Sequence, residues 1–581
     1  MPPSPADLES TARKVAGLSD ADAASNFNVA RRLTAIARQM PDAIAVAAPG
    51  RRTAEGRRQY AEITFAQLDR DSDLVAAGLH EMGVQRGTRL ALLVRPGIDF
   101  ITLVFGLFKV GAISILIDPG MGRKNTLGCL AEVEPQGFVA IPQVQAVRWL
   151  LGRRFPLARF NVTVGRRLFW DGTTLAALKQ LGQRQQNFAE PVFAADEPAA
   201  IIFTTGSTGP PKGVLYRHGN FDRQVTELRD FYDIRPGEID LPGFPLFGLF
   251  NCAMGVTTVV PDMDPTRPAR VDPLKIIEAV HDWNVTQSFG SPAIWNRVGI
   301  YCEQHSEKLP SLRRVLSAGA PVPPHVLARM KACIHGAGEV HTPYGATESL
   351  PVASISASEV LQETSQRTRV GAGVCVGRRF PSIVWKVIRA VTGPIPTIAD
   401  AEELPCGEIG ELIVSGPVVT TEYVTRREAN ATAKIADGQR FWHRMGDVGY
   451  LDEQDRFWFC GRMTHRVLTS SGPMYTICCE AIFNCHASIY RSALIGVGPL
   501  GQQRPVIVVE PWPGKMPKGH AATAKLVEEL RDLALANPLT ASIRDFLVHP
   551  SLPVDIRHNA KIFREKLAVW AEKQGVASHS G

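Results

Sequence analysis

The run Phe203-Thr204-Thr205-Gly206-Ser207-Thr208-Gly209-Pro210-Pro211-Lys212-Gly213 follows the apolar stretch Ala199-Ala200-Ile201-Ile202. Its residue types suit one task, holding a polyphosphate. Gly206 and Gly209 let the backbone approach an anion, successive N–H groups can converge on it, and the hydroxyls and Lys212 add donors and charge. The run is not a P-loop. That motif needs Gly before its Lys and Ser or Thr after it, whereas Pro211 precedes Lys212 and Gly213 follows. On composition alone, a Gly- and Pro-rich surface turn is the plainer alternative.

Four more segments follow in order: Tyr344-Gly345-Ala346-Thr347-Glu348, Gly446-Asp447-Val448-Gly449-Tyr450, Gly461-Arg462, and Arg557-His558-Asn559-Ala560-Lys561-Ile562-Phe563-Arg564. An adenine needs an aromatic or apolar face, which Tyr344 offers. Magnesium takes oxygen ligands and one or two carboxylates, which suits Glu348 beside Thr347. Asp447 in a Gly-Asp turn can accept from ribose hydroxyls, and Arg462 can donate to ribose or phosphate. Taken singly, each residue is more simply structural: a core aromatic, a turn former, a surface cation, a solvated lysine. Their joint order points to a nucleotide.

This series resembles the adenylate-forming superfamily of acyl-CoA synthetases, peptide-synthetase adenylation domains and firefly luciferases, over nearly the whole chain from about Phe65 to Leu567. The resemblance implies ATP and Mg²⁺ as cofactors. Thr204 and Glu348 would hold the metal, and Thr205, Gly206, Ser207, Thr208, Gly209 and Lys212 would line the phosphate loop. Ser317-Ala318-Gly319-Ala320-Pro321 would form the adenine side with Tyr344, Gly345 and Ala346. Thr347 would contact the adenylate phosphate, and Asp447 and Arg462 the ribose. Lys561 and Glu348 would be catalytic, Lys561 bridging the carboxylate and α-phosphate as charge shifts to pyrophosphate, although Asn559-Ala560 replaces the usual Ser-Gly.

Two departures bear on the fate of the acyl-adenylate. The hinge Asp or Lys is His465, and Gly472-Pro473-Met474-Tyr475-Thr476-Ile477-Cys478-Cys479-Glu480-Ala481-Ile482-Phe483 replaces a segment ending Pro-x-x-Ile-Glu. In Phe244-Pro245-Leu246-Phe247-Gly248-Leu249-Phe250, glycine stands where many relatives carry His. Gly248 is expected to open the acyl pocket, with Phe244, Phe247 and Phe250 suiting a long hydrocarbon. These segments resemble most the β-lactone synthetases of bacterial long-chain olefin biosynthesis. That implies adenylation of a long-chain 2-alkyl-3-hydroxy acid and closure by its own β-hydroxyl, with a long-chain fatty acyl-CoA ligase as the alternative. The same resemblance implies association with other enzymes of that pathway, a reductase and a β-lactone decarboxylase. No base for the hydroxyl can be assigned; His465 and His218 are available, and a solvated histidine is the simpler reading of each. A non-catalytic nucleotide-binding scaffold is the rival from another class.

These residues require an α/β frame. Ala66 to Gly83 reads as an amphipathic helix, Arg89 to Val94 as a buried strand, Asp99 to Val110 as a helix and Ile113 to Ile117 as a strand. Strands alternating with helices predict parallel sheets covered by helices. The pattern resumes around 199–216 and 255–320 and becomes strand-rich from about 370 to 460. The fold class is therefore α/β: a large N-terminal domain of stacked αβ sheets with a β-rich subdomain, and a small α+β C-terminal domain that the resemblance makes mobile. The divisions are 1–25, a flexible N-terminus; 26–462, the N-terminal domain; and 463–581, the C-terminal domain.

With 581 residues, 45% hydrophobic and 21% charged, the chain fits a globular protein with more than one core. A net charge of +7, spread as Arg-Arg pairs, argues against a dedicated nucleic-acid binder and fits anionic substrates. Ten cysteines without CxxC or Cys/His spacing suggest a reduced, cytoplasmic setting without structural zinc. No secretory signal is legible at Met1-Pro2-Pro3-Ser4, and Ile101 to Ile117 is too short and interrupted by Lys109 for a transmembrane span. Arg148 to Trp170 carries six arginines, no acid and, among its apolar residues, Trp149, Leu150, Leu151, Phe155, Leu168, Phe169 and Trp170. It could dock on a membrane surface or a partner, but a basic solvated surface with its aromatics packed inward is the preferred reading.

Overall fold

The computed structural model describes residues 26–185, 188–204, 210–554 and 562–576. The expected flexible N-terminus, 1–25, lies outside them. Helices and strands fall where the sequence pattern places them: helices at Phe65–Glu81 and Ile98–Val110, strands at Arg89–Leu93 and Ile113–Leu116. Thr64 caps the first helix by accepting from Gln67 N, while the Gln67 side chain returns to the Thr64 backbone, satisfying two otherwise orphan donors. The second helix is buried from Phe100 to Val110. Its Lys109 is neutralised inside by Asp69 Oδ1 at 2.6 Å and Asp73 Oδ1 at 2.5 Å, which a buried ammonium requires. Among the described residues no helix is long and apolar enough to cross a membrane.

One sheet has seven strands. Thr173–Thr174, Phe160–Thr163, Gly137–Ala140, Arg89–Leu93, Ile113–Leu116 and Pro198–Phe203 run parallel, and Gly213–Arg217 closes the edge antiparallel to Pro198–Phe203. Phe203 faces Gly213 across that hairpin. The phosphate-loop candidate therefore joins two strands, unlike a P-loop, which joins a strand to a helix.

The second sheet has fourteen strands and changes character midway. Gln287–Gly290, Arg314–Ser317 and Glu339–Ala346 are parallel neighbours. Beyond Glu339–Ala346 the pairing turns antiparallel, through Ser349–Ser356, Val374–Arg379, Arg456–Arg462 and Arg440–Leu451 to Gly410–Ser415 and Val384–Ile388. The strand-rich stretch expected from 370 to 460 is this antiparallel half. Loops at the carboxyl ends of parallel strands are where α/β sheets place ligands. Here those loops begin at Ser291, Ala318 and Thr347.

The C-terminal part has its own antiparallel pair, Ile489–Val497 with Arg504–Pro511, extended by parallel Asp545–Val548. Two apolar clusters, one from Val467 to Phe546 and one from Ala493 to Val576, draw only on this part of the chain.

The segment from Arg148 to Trp170 departs from expectation. Phe155 and Trp170 pack inward, but Trp149, Leu150, Leu157, Leu168 and Phe169 face outward. The Trp170 indole N–H reaches Thr163 Oγ1 at 2.9 Å.

Candidate active site

The two strands flanking the candidate phosphate loop fix its ends. Thr204 N donates to Lys212 O at 3.0 Å, and Thr204 Oγ1 accepts from Lys212 N at 3.1 Å. Gly213 N reaches Thr425 Oγ1 at 2.8 Å, and Arg426 Nε reaches Pro211 O at 3.1 Å. Thr205, Gly206, Ser207, Thr208, Gly209 and Lys561 lie outside the described residues.

Lys212 Nζ stands 4.4 Å from the centre of the Tyr423 ring, a cation–π distance. The hydroxyl of that ring donates to Glu348 Oε1 at 2.6 Å. Burial, with the Glu348 charge beside it, raises the Tyr423 phenol far above its ordinary range, so it stays a donor. Glu348 is held from behind: its carbonyl accepts from Thr420 N and Thr420 Oγ1, each at 2.9 Å. Lys434 donates to Thr420 O. Burial pulls the Lys434 ammonium down to about 7, Glu348 opposing and Lys212 assisting.

On the opposite side, Asp447 and Arg462 are cross-strand partners. Arg462 Nη1 donates to Asp447 Oδ1 at 2.6 Å and to Met445 O at 3.2 Å. The Tyr344 hydroxyl donates to Asp447 Oδ2 at 2.5 Å. Burial and the Asp447 charge push that phenol up, and Asp447 pushes the Arg462 guanidinium up. Gly446 and Asp447 lie inside the strand Arg440–Leu451 and not in the expected turn; Gly446, at φ +65, sits where the pairing with Gly410–Ser415 shifts register. Thr347 O accepts from the Tyr216 hydroxyl at 2.6 Å. Ser317 ends its strand, and its hydroxyl is buried without a protein partner among the described residues; Gly319, at φ +95, then turns the chain toward Ala320 and Pro321.

A wall of aromatic side chains adjoins these groups. Phe247 stacks on Phe289 at 3.8 Å between centroids with 15° between planes. Phe244 and Phe250 flank it at 6.4 and 5.8 Å. Gly248 faces away from this wall. A Cβ there would meet Ile101 Cδ1 at 2.8 Å, so the glycine admits the helix Ile98–Val110 instead of opening space in the cleft.

Thr204, Lys212, Gly319, Ala320, Pro321, Tyr344, Gly345, Ala346, Thr347, Glu348, Asp447, Arg462, His465, Phe244, Phe247 and Phe250 line one cleft of about 2990 Å³. That exceeds a single small-ligand pocket of roughly 300–1,000 Å³. It runs on between the large domain and the C-terminal part, where Glu480 and Arg564 also line it. Arg564 Nη2 meets Glu480 Oε1 at 2.6 Å, and Leu494 N donates to the same oxygen at 2.8 Å. The glutamate of the unusual 472–483 segment is thus a buried brace.

His218 is buried, whereas His465 is half-buried and lines the cleft. Burial, with Arg564 and Arg462 nearby, lowers the His465 imidazole to about 4. His218 is enclosed by Phe193 at 4.4 Å and Phe108 at 6.0 Å. Both its ring nitrogens are buried without a partner among the described residues, and it is not among the residues that line the cleft. Tyr423, Thr425, Arg426 and Lys434 carry no sequence signal of a role here. They come from a stretch with no motif of its own, brought to the phosphate hairpin by an isolated bridge between Val214 and Tyr423.

The chain is similar to known proteins. Residues 33–424 match the family model described as AMP-binding enzyme. An "Olefin beta-lactone synthetase" of Xanthomonas campestris pv. campestris is 47% identical over 555 residues, 94% of this chain and 98% of that one. A protein of the same name from Stenotrophomonas maltophilia is 46% identical over 557 residues, 94% and 98% of the two chains. The crystal structure of ATP-bound MatB from Rhodopseudomonas palustris superposes with a TM-score of 0.74 at 20% identity, covering 94% of this chain and 99% of that one, which shows a common fold. The chain belongs to the AMP-binding, adenylate-forming enzyme family and, within it, to the olefin beta-lactone synthetases.

Proposed function

We propose that this cleft adenylates a long-chain 2-alkyl-3-hydroxy fatty acid with ATP and then closes it to a β-lactone. The observation that carries this reading is the adjacency, in one cleft, of the polar grip at Thr204, Glu348, Asp447 and Arg462 to the aromatic wall at Phe244, Phe247 and Phe250.

The donors fit magnesium. Glu348 Oε1 is engaged by Tyr423, its second oxygen has no protein partner among the described residues, and Thr204 adds a hydroxyl; these are hard oxygen ligands. A magnesium ion held there would neutralise charge on the departing pyrophosphate. Lys212, held over Tyr423, offers a further cation to the phosphates. Tyr344, Asp447 and Arg462 would orient the nucleoside, with Gly319, Ala320 and Pro321 at its edge. The substrate carboxylate oxygen bonds to the α-phosphorus as the bond to the β-phosphate bridging oxygen breaks. Lys561, placed by resemblance alone, would stabilise charge on that transition state.

In the second step the β-hydroxyl oxygen bonds to the acyl carbon. The bond to AMP breaks, AMP keeps the electron pair, and the hydroxyl proton passes to water. The nucleophile is already tethered, so proximity favours closure and the activated anhydride offsets ring strain. His465, held neutral, fits a hinge better than a strong base. Residues 463–581, with their own cores, form the domain that would turn about it.

The test combines MgATP with a 2-alkyl-3-hydroxy acid, with and without coenzyme A. β-Lactone and AMP without coenzyme A are expected. A product formed only with coenzyme A, as a thioester, would point to an acyl-CoA ligase. The Lys561→Ala variant should lose pyrophosphate release yet bind ATP; no pyrophosphate release from the parent protein would point to a scaffold.

A further inference from the structure

We propose that the outward face of residues 147–169 is a docking surface for an anionic lipid membrane. Six large apolar side chains are exposed within these 23 positions: Val147 at 46%, Trp149 at 48%, Leu150 at 70%, Leu157 at 46%, Leu168 at 53% and Phe169 at 65%. Two of them are in contact across the segment. Trp149 and Phe169 touch edge to face with centroids 5.1 Å apart, joining the helix Pro142–Leu150 to the loop after the strand Phe160–Thr163 in one exposed apolar ridge. Isolated surface apolar residues need no explanation, but a contiguous ridge marks an interaction site.

Charge complementarity selects the partner. Arg153, Arg154, Arg159, Arg166 and Arg167 are exposed in the same stretch, and no acidic residue occurs from 135 to 170. The nearest acid, Asp171, is occupied by Arg148 at 2.5 Å and Asn161 at 2.8 Å. Arg153, Arg154 and Arg166 form no ion pair among the described residues. Arg167 Nη1 holds Gly172 O at 2.7 Å, fixing the loop that presents Phe169. Tryptophan, phenylalanine and leucine inserted at headgroup depth, ringed by arginines on lipid phosphates, is the composition of an interfacial anchor. A partner protein would need an acidic, concave face for the same ridge, whereas a fluid anionic leaflet provides charge and insertion depth together.

Vesicle sedimentation tests this on the full-length protein, comparing pure phosphatidylcholine with phosphatidylcholine containing phosphatidylglycerol. Binding to the anionic vesicles alone is expected, reversed by high salt. Arg153→Gln, Arg154→Gln and Arg166→Gln should each weaken partition by about a factor of five. Trp149→Ser with Phe169→Ser should remove binding at low salt as well. Each variant is checked for parental ATP-dependent pyrophosphate release, so that loss of binding is not loss of folding. Equal partition of parent and variants, or no binding to anionic vesicles, overturns the proposal. A parent that self-associates, with variants that become monomeric, overturns it in favour of a protein interface.

Discussion

The Tyr423 hydroxyl donates to Glu348 Oε1 across 2.6 Å, and Lys212 sits over the same ring. One tyrosine thus positions both the carboxylate proposed for magnesium and the lysine proposed for phosphate. Tyr423→Phe keeps the ring and removes the donor. A hydrogen bond to a charged group contributes about 1.5–3 kcal/mol. Pyrophosphate release should therefore slow by about tenfold and need more magnesium for half-maximal rate. A magnesium titration that superposes on the parent's would exclude a role for the pair in metal binding.

Asp447 has both oxygens engaged, Oδ1 by Arg462 and Oδ2 by Tyr344. A ribose must therefore use remaining lone pairs on a carboxylate that is already oriented. Asp447→Asn should weaken ATP binding by about tenfold. Its stability cost should stay near 1 kcal/mol, because the Arg462 side chain is one-third exposed and water screens the pair. Calorimetric ATP titration and urea unfolding separate the two effects, and an unchanged ATP affinity would remove Asp447 from the nucleotide site.

Lys434 is pulled down to about 7 by burial. Between there and its ordinary value the unfolded chain binds more protons than the native one, so this group makes stability rise with pH across that window. Lys434→Met abolishes the term. The stability of the variant relative to the parent should fall as pH rises from 7 to 9, by up to about 1.4 kcal/mol per unit. Urea unfolding at both pH values checks this, and a pH-independent difference contradicts it.

Gly248 distinguishes packing from substrate selection. The expected methyl clash with Ile101 at 2.8 Å should make Gly248→Ala less stable by about 1–3 kcal/mol. Chain-length preference should not change, because the residue faces the neighbouring helix. A shifted chain-length profile at parental stability would return Gly248 to the acyl pocket.

The local chemistry could be read in the chain because it depends on residue type and short spacing. Hydroxyls and glycines around Lys212 and near-continuous apolar runs such as Phe100 to Val110 each announce themselves within a dozen residues, whereas the turn expected at Asp447 is a strand. What a residue faces is a long-range matter, settled when distant segments close on one another. Packing of two helices turned Gly248 away from the cleft. It also enclosed His218 between phenylalanines and filled the inner side of 148–170 with Phe155 and Trp170, leaving Trp149 and Phe169 outside. The same closure brought Tyr423 and Lys434, unremarkable in sequence, behind Glu348, a partner 75 positions from Tyr423. The amino-acid order alone determined which groups are proposed to grip a nucleotide. Only the tertiary structure decided which groups stand beside them, since contacts and burial belong to the packed chain.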